Sequence, residues 1–83
     1  MRIYVKLFAM LEDRLPLGSR DHTMALEVAP GMTPRRVIDQ LGIPASMAHL
    51  VLIGGVHLLP AEIESRPLQE GESLSIFPPI AGG

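Results

Sequence analysis

The 83-residue chain contains no cysteine. That excludes disulfide staples, thiolate zinc sites, iron–sulfur ligation and any cysteine nucleophile or persulfide. It has no tryptophan and only three aromatics, Tyr4, Phe8 and Phe77, and its one lysine is Lys6. No apolar run approaches the length needed to span a membrane, and the net charge of −2 is too small to advertise a nucleic-acid or membrane partner. The N-terminal strand-like segment is not a signal peptide, because Lys6 interrupts its apolar run, Glu12 and Asp13 follow, and no small-residue cleavage site appears. A cytoplasmic protein is expected.

At 9.0 kDa there is room for one small domain. The apolar fraction of 47% with 19% charged residues is a globular mixture, not a disordered one. A chain this short buries only about 60–65% of its unfolded surface, so a thin core and no deep catalytic cavity are expected. Charge is unevenly spread. Residues 1–36 carry a surplus of two positive charges, and residues 37–83 a surplus of four negative charges. Such polarity suits orientation against a protein partner, and solvated faces produce it equally well.

Residues 1–8 alternate, with Ile3, Val5 and Leu7 to one side and Arg2, Tyr4, Lys6 and Phe8 to the other, which predicts a strand. Pro16, Gly18 and several charges make 9–21 a loop, with a short turn at Met10–Asp13. A second strand is expected over His22–Val28, with Met24, Leu26 and Val28 inward. Thr33-Pro34 opens a short helix whose apolar stripe is Val37, Ile38 and Leu41 and which Gly42 closes. Residues 44–49 add at most one irregular turn. Leu50–Ile53 is apolar on both faces, as in a strand covered on one side and hidden or partner-facing on the other. Gly54-Gly55 reads as a tight hairpin into Val56–Leu59, residues 60–67 as irregular, and Ser73–Phe77 as the last strand. The expectation is an α+β domain over 1–77, a mixed sheet of four to five strands packed on one short helix.

Residues 78–83, Pro-Pro-Ile-Ala-Gly-Gly, form the second segment, an extended flexible tail. Proline cannot continue the ladder, and six residues in an extended proline-rich form reach roughly 19 Å at ~3.1 Å per residue. Glycine at 82 and 83 lets backbone pass where a side chain would block it. The reactive group at such a tip is the α-carboxylate, an anion at neutral pH and a poor electrophile until activated. ATP can activate it as an acyl-adenylate. A sulfur donor can then displace AMP and leave a thiocarboxylate, the one route by which a cysteine-free chain could carry sulfur.

The N-terminal strand, the Leu41-Gly42-Ile43-Pro44 helix end, the Leu68-Gln69-Glu70-Gly71-Glu72 turn and the ending Ile76-Phe77-Pro78-Pro79-Ile80-Ala81-Gly82-Gly83 together resemble the MoaD/ThiS sulfur carriers, ubiquitin-like β-grasp proteins of about this length. The Pro-Pro-x-x-Gly-Gly ending is similar to that of the molybdopterin synthase small subunit. The chain departs from the family at Gly54-Gly55, where Asn-Gly is common. The resemblance implies a non-enzymatic carrier in molybdenum or tungsten cofactor assembly. Gly83 would be adenylated and thiocarboxylated by a ubiquitin-activating-type enzyme that consumes ATP. Gly82, Ala81, Ile80, Pro79 and Pro78 would thread the tail into that enzyme and into a larger synthase catalytic subunit, with a sulfur donor protein as third partner. No bound cofactor is implied. Alternatives are a carrier for thiamine thiazole or another sulfur pathway, a ubiquitin-like modifier conjugated through Gly83, and a non-covalent scaffold whose tail is incidental.

Phe77, Tyr4 and Phe8 share the outward face of the first and last strands, where they form either a partner-docking patch or a self-packed aromatic cluster. His22, His49 and His57 lack metal-ligand spacing, so no metal site is expected. Glu62 and Glu64, or Glu70 and Glu72, fall in irregular exposed segments and offer no acid–base pair. No catalytic constellation is present in the sequence.

Overall fold

The alternation of the N-terminal segment decides the centre of the sheet. In the computed structural model, which describes residues 1–79, Ile3, Val5 and Leu7 of β1 (Arg2–Leu7) are wholly buried on one face. The other strands are β2 (Thr23–Glu27), β3 (Leu50–Ile53), β4 (Val56–His57) and β5 (Ser73–Phe77), in the spatial order β2-β1-β5-β3-β4. The first and last strands of the chain, β1 and β5, lie side by side at the centre and run parallel, and every other pair is antiparallel. Leu74 and Ile76 of β5 and Val51 and Ile53 of β3 complete the inward rows.

One layer of helix covers that face. In α1 (Pro34–Gln40), Thr33 Oγ1 accepts from the Arg36 N–H at 3.3 Å and Pro34 occupies the first turn. Val37 and Ile38 are fully buried against the sheet. The helix ends in a Schellman arrangement: Ile43 N–H donates to the Ile38 carbonyl (3.1 Å) and Gly42 N–H to the Asp39 carbonyl (3.0 Å). Gly42 takes φ +72°, a left-handed value that glycine adopts without a Cβ clash, and Ile43 drops into the core. Seven residues are too few to be helical without this packing.

Residues 60–67 differ from expectation. They hold a second short helix, α2 (Pro60–Ser65), which packs against α1. Pro60 pre-sets the first turn, and Glu62 reaches back so that its carboxylate accepts the Leu59 N–H at 2.8 Å. Arg35 of α1 donates to Glu64 of α2 at 2.7 Å. The strand expected over 56–59 shrinks to two residues, because Leu58 turns inward and is buried as the chain enters α2. The turn at Met10–Asp13 is a longer 3-10 helix, Ala9–Arg14, whose Leu11 joins the core. Gly54 and Gly55, at φ +56° and +82°, form the expected tight hairpin. Among the described residues no helix is long and apolar enough to cross a membrane.

The loop from α2 to β5 is held by charge. Arg66 grips Glu72 with both guanidinium nitrogens, at 3.1 and 2.9 Å, while Glu72 Oε1 also accepts the Gln69 N–H at 2.7 Å. The Arg66 hydrogen bond, aided by the Gln69 amide, holds the Glu72 carboxyl below the usual carboxylate range. A depressed carboxylate stabilises the fold above its unfolded pKa and loses that contribution as pH falls through the folded value. Glu72→Gln is therefore expected to cost about 1 kcal/mol at neutral pH. In urea denaturation the difference from the native chain should shrink toward zero below about pH 4.

Candidate functional site

Because β1 and β5 are parallel, they end at the same border of the sheet, and β3 begins there. Leu7 pairs with Ile76 and Leu50 with Phe77. Alternation then throws the next residues outward, so Phe8, Phe77 and Leu50 form one row on the face that carries no helix. The Phe8 and Phe77 rings stack with centroids 4.1 Å apart and an interplanar angle of 6°. Leu50 remains 37% exposed, consistent with its reading as a residue of a strand whose second face is partner-facing or hidden.

The chain turns sharply after this row. Ala9 adopts φ +54° and starts the 3-10 helix that brings Met10, 60% exposed, to the rim. The result is an apolar groove of about 460 Å³ bounded by Phe8, Met10, His49, Leu50, Phe77 and Pro78. At its far wall the His49 N–H donates to the Phe77 carbonyl at 3.0 Å. Pro78, with no N–H to offer, ends the ladder. Pro78 is buried and Pro79, which also borders the groove, is exposed, so the root of the tail is part of the domain surface. Ile80, Ala81, Gly82 and Gly83 lie outside the described residues.

Tyr4 shares the outward face but not the groove. It pairs with Ala25 and Ser73, and the row between it and Phe8 is Thr23, Lys6, Ser75 and Leu52. The face thus has an apolar end, where Phe8 and Phe77 meet, and the Lys6 row separates Tyr4 from it. Three contributors were not assigned to this surface from the sequence. Met10 and His49 sit in segments without periodicity. His22 stacks on the far side of Phe8, at 4.7 Å and 28°, and its Nδ1 donates to the Glu12 carboxylate at 2.9 Å. The strand expected to begin at His22 begins at Thr23, and His22 with Asp21 forms the turn before it.

Chemically, the groove can hold an apolar side chain and little else. Among the described residues no group of three or more His, Asp or Glu is arranged to hold a metal ion, and no buried side-chain nitrogen or oxygen lacks a partner. The reactive group of the sequence analysis, the Gly83 carboxylate, follows five residues after Pro78 along the chain.

No family model matches the chain, and no curated protein matches it in sequence. Among solved structures it is similar to the crystal structure of SAMP1 from Haloferax volcanii, at 24% sequence identity over 100% of both chains and a TM-score of 0.66. The fold is a ubiquitin-like β-grasp.

Since Phe77 packs on the outer face and not among the helices, Phe77→Asp is expected to keep a native far-UV circular dichroism spectrum. It should lose about 1–2 kcal/mol in urea denaturation through the broken ring stack and lost burial. A spectrum of an unfolded chain would instead make Phe77 a core residue.

Proposed function

We propose that this chain is a sulfur carrier whose terminal carboxylate, on Gly83, is adenylated by a ubiquitin-activating-type enzyme and converted to a thiocarboxylate. In the first step a carboxylate oxygen attacks the α-phosphorus of ATP and pyrophosphate leaves. In the second a hydrosulfide-level sulfur nucleophile adds to the acyl carbon, and AMP departs with the original oxygen. The product anion is a soft nucleophile that a larger synthase subunit can direct at a pterin precursor of the molybdenum or tungsten cofactor. ATP belongs to the activating partner, and the setting is the cytoplasm.

The observation that supports this reading is the root of the tail. Phe77 is fixed by the sheet and by His49, Pro78 is packed at the groove, and along the sequence the side chains then shrink from Ile80 through Ala81 to Gly82 and Gly83. A direction fixed at one end and a bare backbone at the other suit delivery of a carboxylate down a narrow channel. The apolar row beside the root supplies a surface on which both partners can seat the domain, with Phe8 and Phe77 as anchors and Tyr4 further off.

Intact mass spectrometry tests the chemistry. With ATP, an adenylating partner and sulfide, the chain ending at Gly83 should exchange one oxygen for one sulfur, and deleting Gly83 should abolish the exchange without altering the circular dichroism spectrum. An unchanged mass would refute the carrier reading. Covalent high-mass adducts on denaturing gels in place of the exchange would point to a protein modifier joined through Gly83. Phe77→Asp should bind the adenylating partner at least roughly tenfold more weakly.

A further inference from the structure

Left-handed backbone is expensive for a residue with a Cβ, and among the described residues six of the nine positive-φ positions are glycine. The three exceptions are Ala9, Asp21 and His22. All three belong to the segments that border Phe8. Asp21 (φ +53°) and His22 (φ +58°) are the two central residues of a turn closed by the Thr23 N–H on the Arg20 carbonyl at 3.0 Å. Two consecutive positive φ angles make this a hairpin-type turn, in which glycine or asparagine is most at ease and histidine less so. The turn is locked from both sides: Thr23 Oγ1 donates to the Asp21 carbonyl at 2.6 Å, and the Leu7 N–H donates to the His22 carbonyl at 2.9 Å.

The strained backbone aims the His22 ring at Phe8. From there the rings continue in register: His22 over Phe8 at 4.7 Å, Phe8 over Phe77 at 4.1 Å, and Phe77 is bonded directly to Pro78. At the outer end the 3-10 helix presents Glu12, whose carboxylate accepts a hydrogen bond from His22 Nδ1 at 2.9 Å and restrains the imidazole on the stack. Neither group is buried, at 45% and 46% side-chain exposure, so core packing does not account for the strain.

We infer that His22 is a positioning residue for the tail: clamped by Glu12, it fixes Phe8, through Phe8 it fixes Phe77, and so it sets the direction in which Pro78 and Pro79 leave the sheet. This rests on the carrier reading for its consequence, since a tail pointed correctly before docking removes an ordering cost that the adenylating enzyme would otherwise bear at binding. The ladder itself is a property of the isolated chain.

His22→Asn removes the ring while supplying a residue that tolerates the left-handed turn. His22→Phe restores a ring without the bond to Glu12. In the free His22→Asn protein the NMR resonances of the Phe77 ring and of Pro78 are expected to move, not only those of Phe8. In adenylation assays its KM is expected to rise roughly fivefold with kcat unchanged, and His22→Phe should recover most of both effects. If His22→Asn fails to fold, Glu12→Gln carries the same measurements with smaller shifts of the same sign. The inference is overturned if Phe77 and Pro78 resonances stay at their native positions, or if they move and KM does not. Should the native chain not be adenylated at all, the carrier reading falls, while the NMR comparison still decides whether the ladder holds the tail root.

Discussion

Seven aliphatic side chains of the three central strands, Ile3, Val5, Leu7, Leu74, Ile76, Val51 and Ile53, have to leave water on one side of a sheet only about five residues long, and one helical layer is all the chain can spare to cover them. Each such side chain contributes about 1.5–3 kcal/mol when fully buried, against an entropy cost of about 1–2 kcal/mol for every residue ordered. Neither α1 nor α2 would persist alone, and the sheet without them would expose its inward rows. Sheet and helices are therefore interdependent. The parallel pairing of β1 with β5 closes that dependence, because it joins the two ends of the described chain and commits every element between them.

The same constraint creates the apolar end of the outer face. A sheet covered on one side presents its other side to solvent, and alternation fills that side with whatever lies between the core residues. Over much of it the chain mixes polar residues, Arg2, Lys6, Thr23, Ser73 and Ser75, with Tyr4, Ala25 and Leu52. Only where the three central strands meet the tail does it place Phe8, Phe77 and Leu50 together. The apolar groove is a consequence of strand direction as much as of composition, since an antiparallel β1 and β5 would have set Phe8 and Phe77 at opposite ends of the sheet.

The strands and α1 were legible because their signals are local. Period-two alternation named the inward faces of β1 and β5, and Thr33-Pro34 with Gly42 bracketed α1. The hairpin at Gly54-Gly55 was legible for the same reason. α2 was hidden because its six residues show no stripe of their own: Ile63 alone packs on the core, and the helix is fixed by Pro60, by the Glu62 cap and by the Arg35–Glu64 contact across to α1. The cap was written in the sequence, but a proline followed two residues later by glutamate also occurs in loops. At the site, the shared face of Phe8 and Phe77 could be read from alternation, whereas Met10, His22 and His49 depend on turns after strand ends, where neither period applies. Tyr4 shows the limit of the method: its face could be read, but its separation from Phe8 by the Lys6 row needed the register.

The groove is lined by aromatic, aliphatic and proline side chains with His49 at one wall, and this bears on how selectivity would arise if the carrier reading holds. If the reacting atom sits several residues beyond the last ordered strand, the fold can influence the chemistry only by deciding where the tail starts and what surface lies beside it. Both depend on a few contacts of modest strength, a ring stack worth about 0.5–1.5 kcal/mol beyond its burial and a single backbone bond from His49 to Phe77. Strain at Ala9 and at Asp21-His22 is tolerable at this end because the core is anchored elsewhere, by α1 and by the Arg66–Glu72 grip at the opposite border of the sheet.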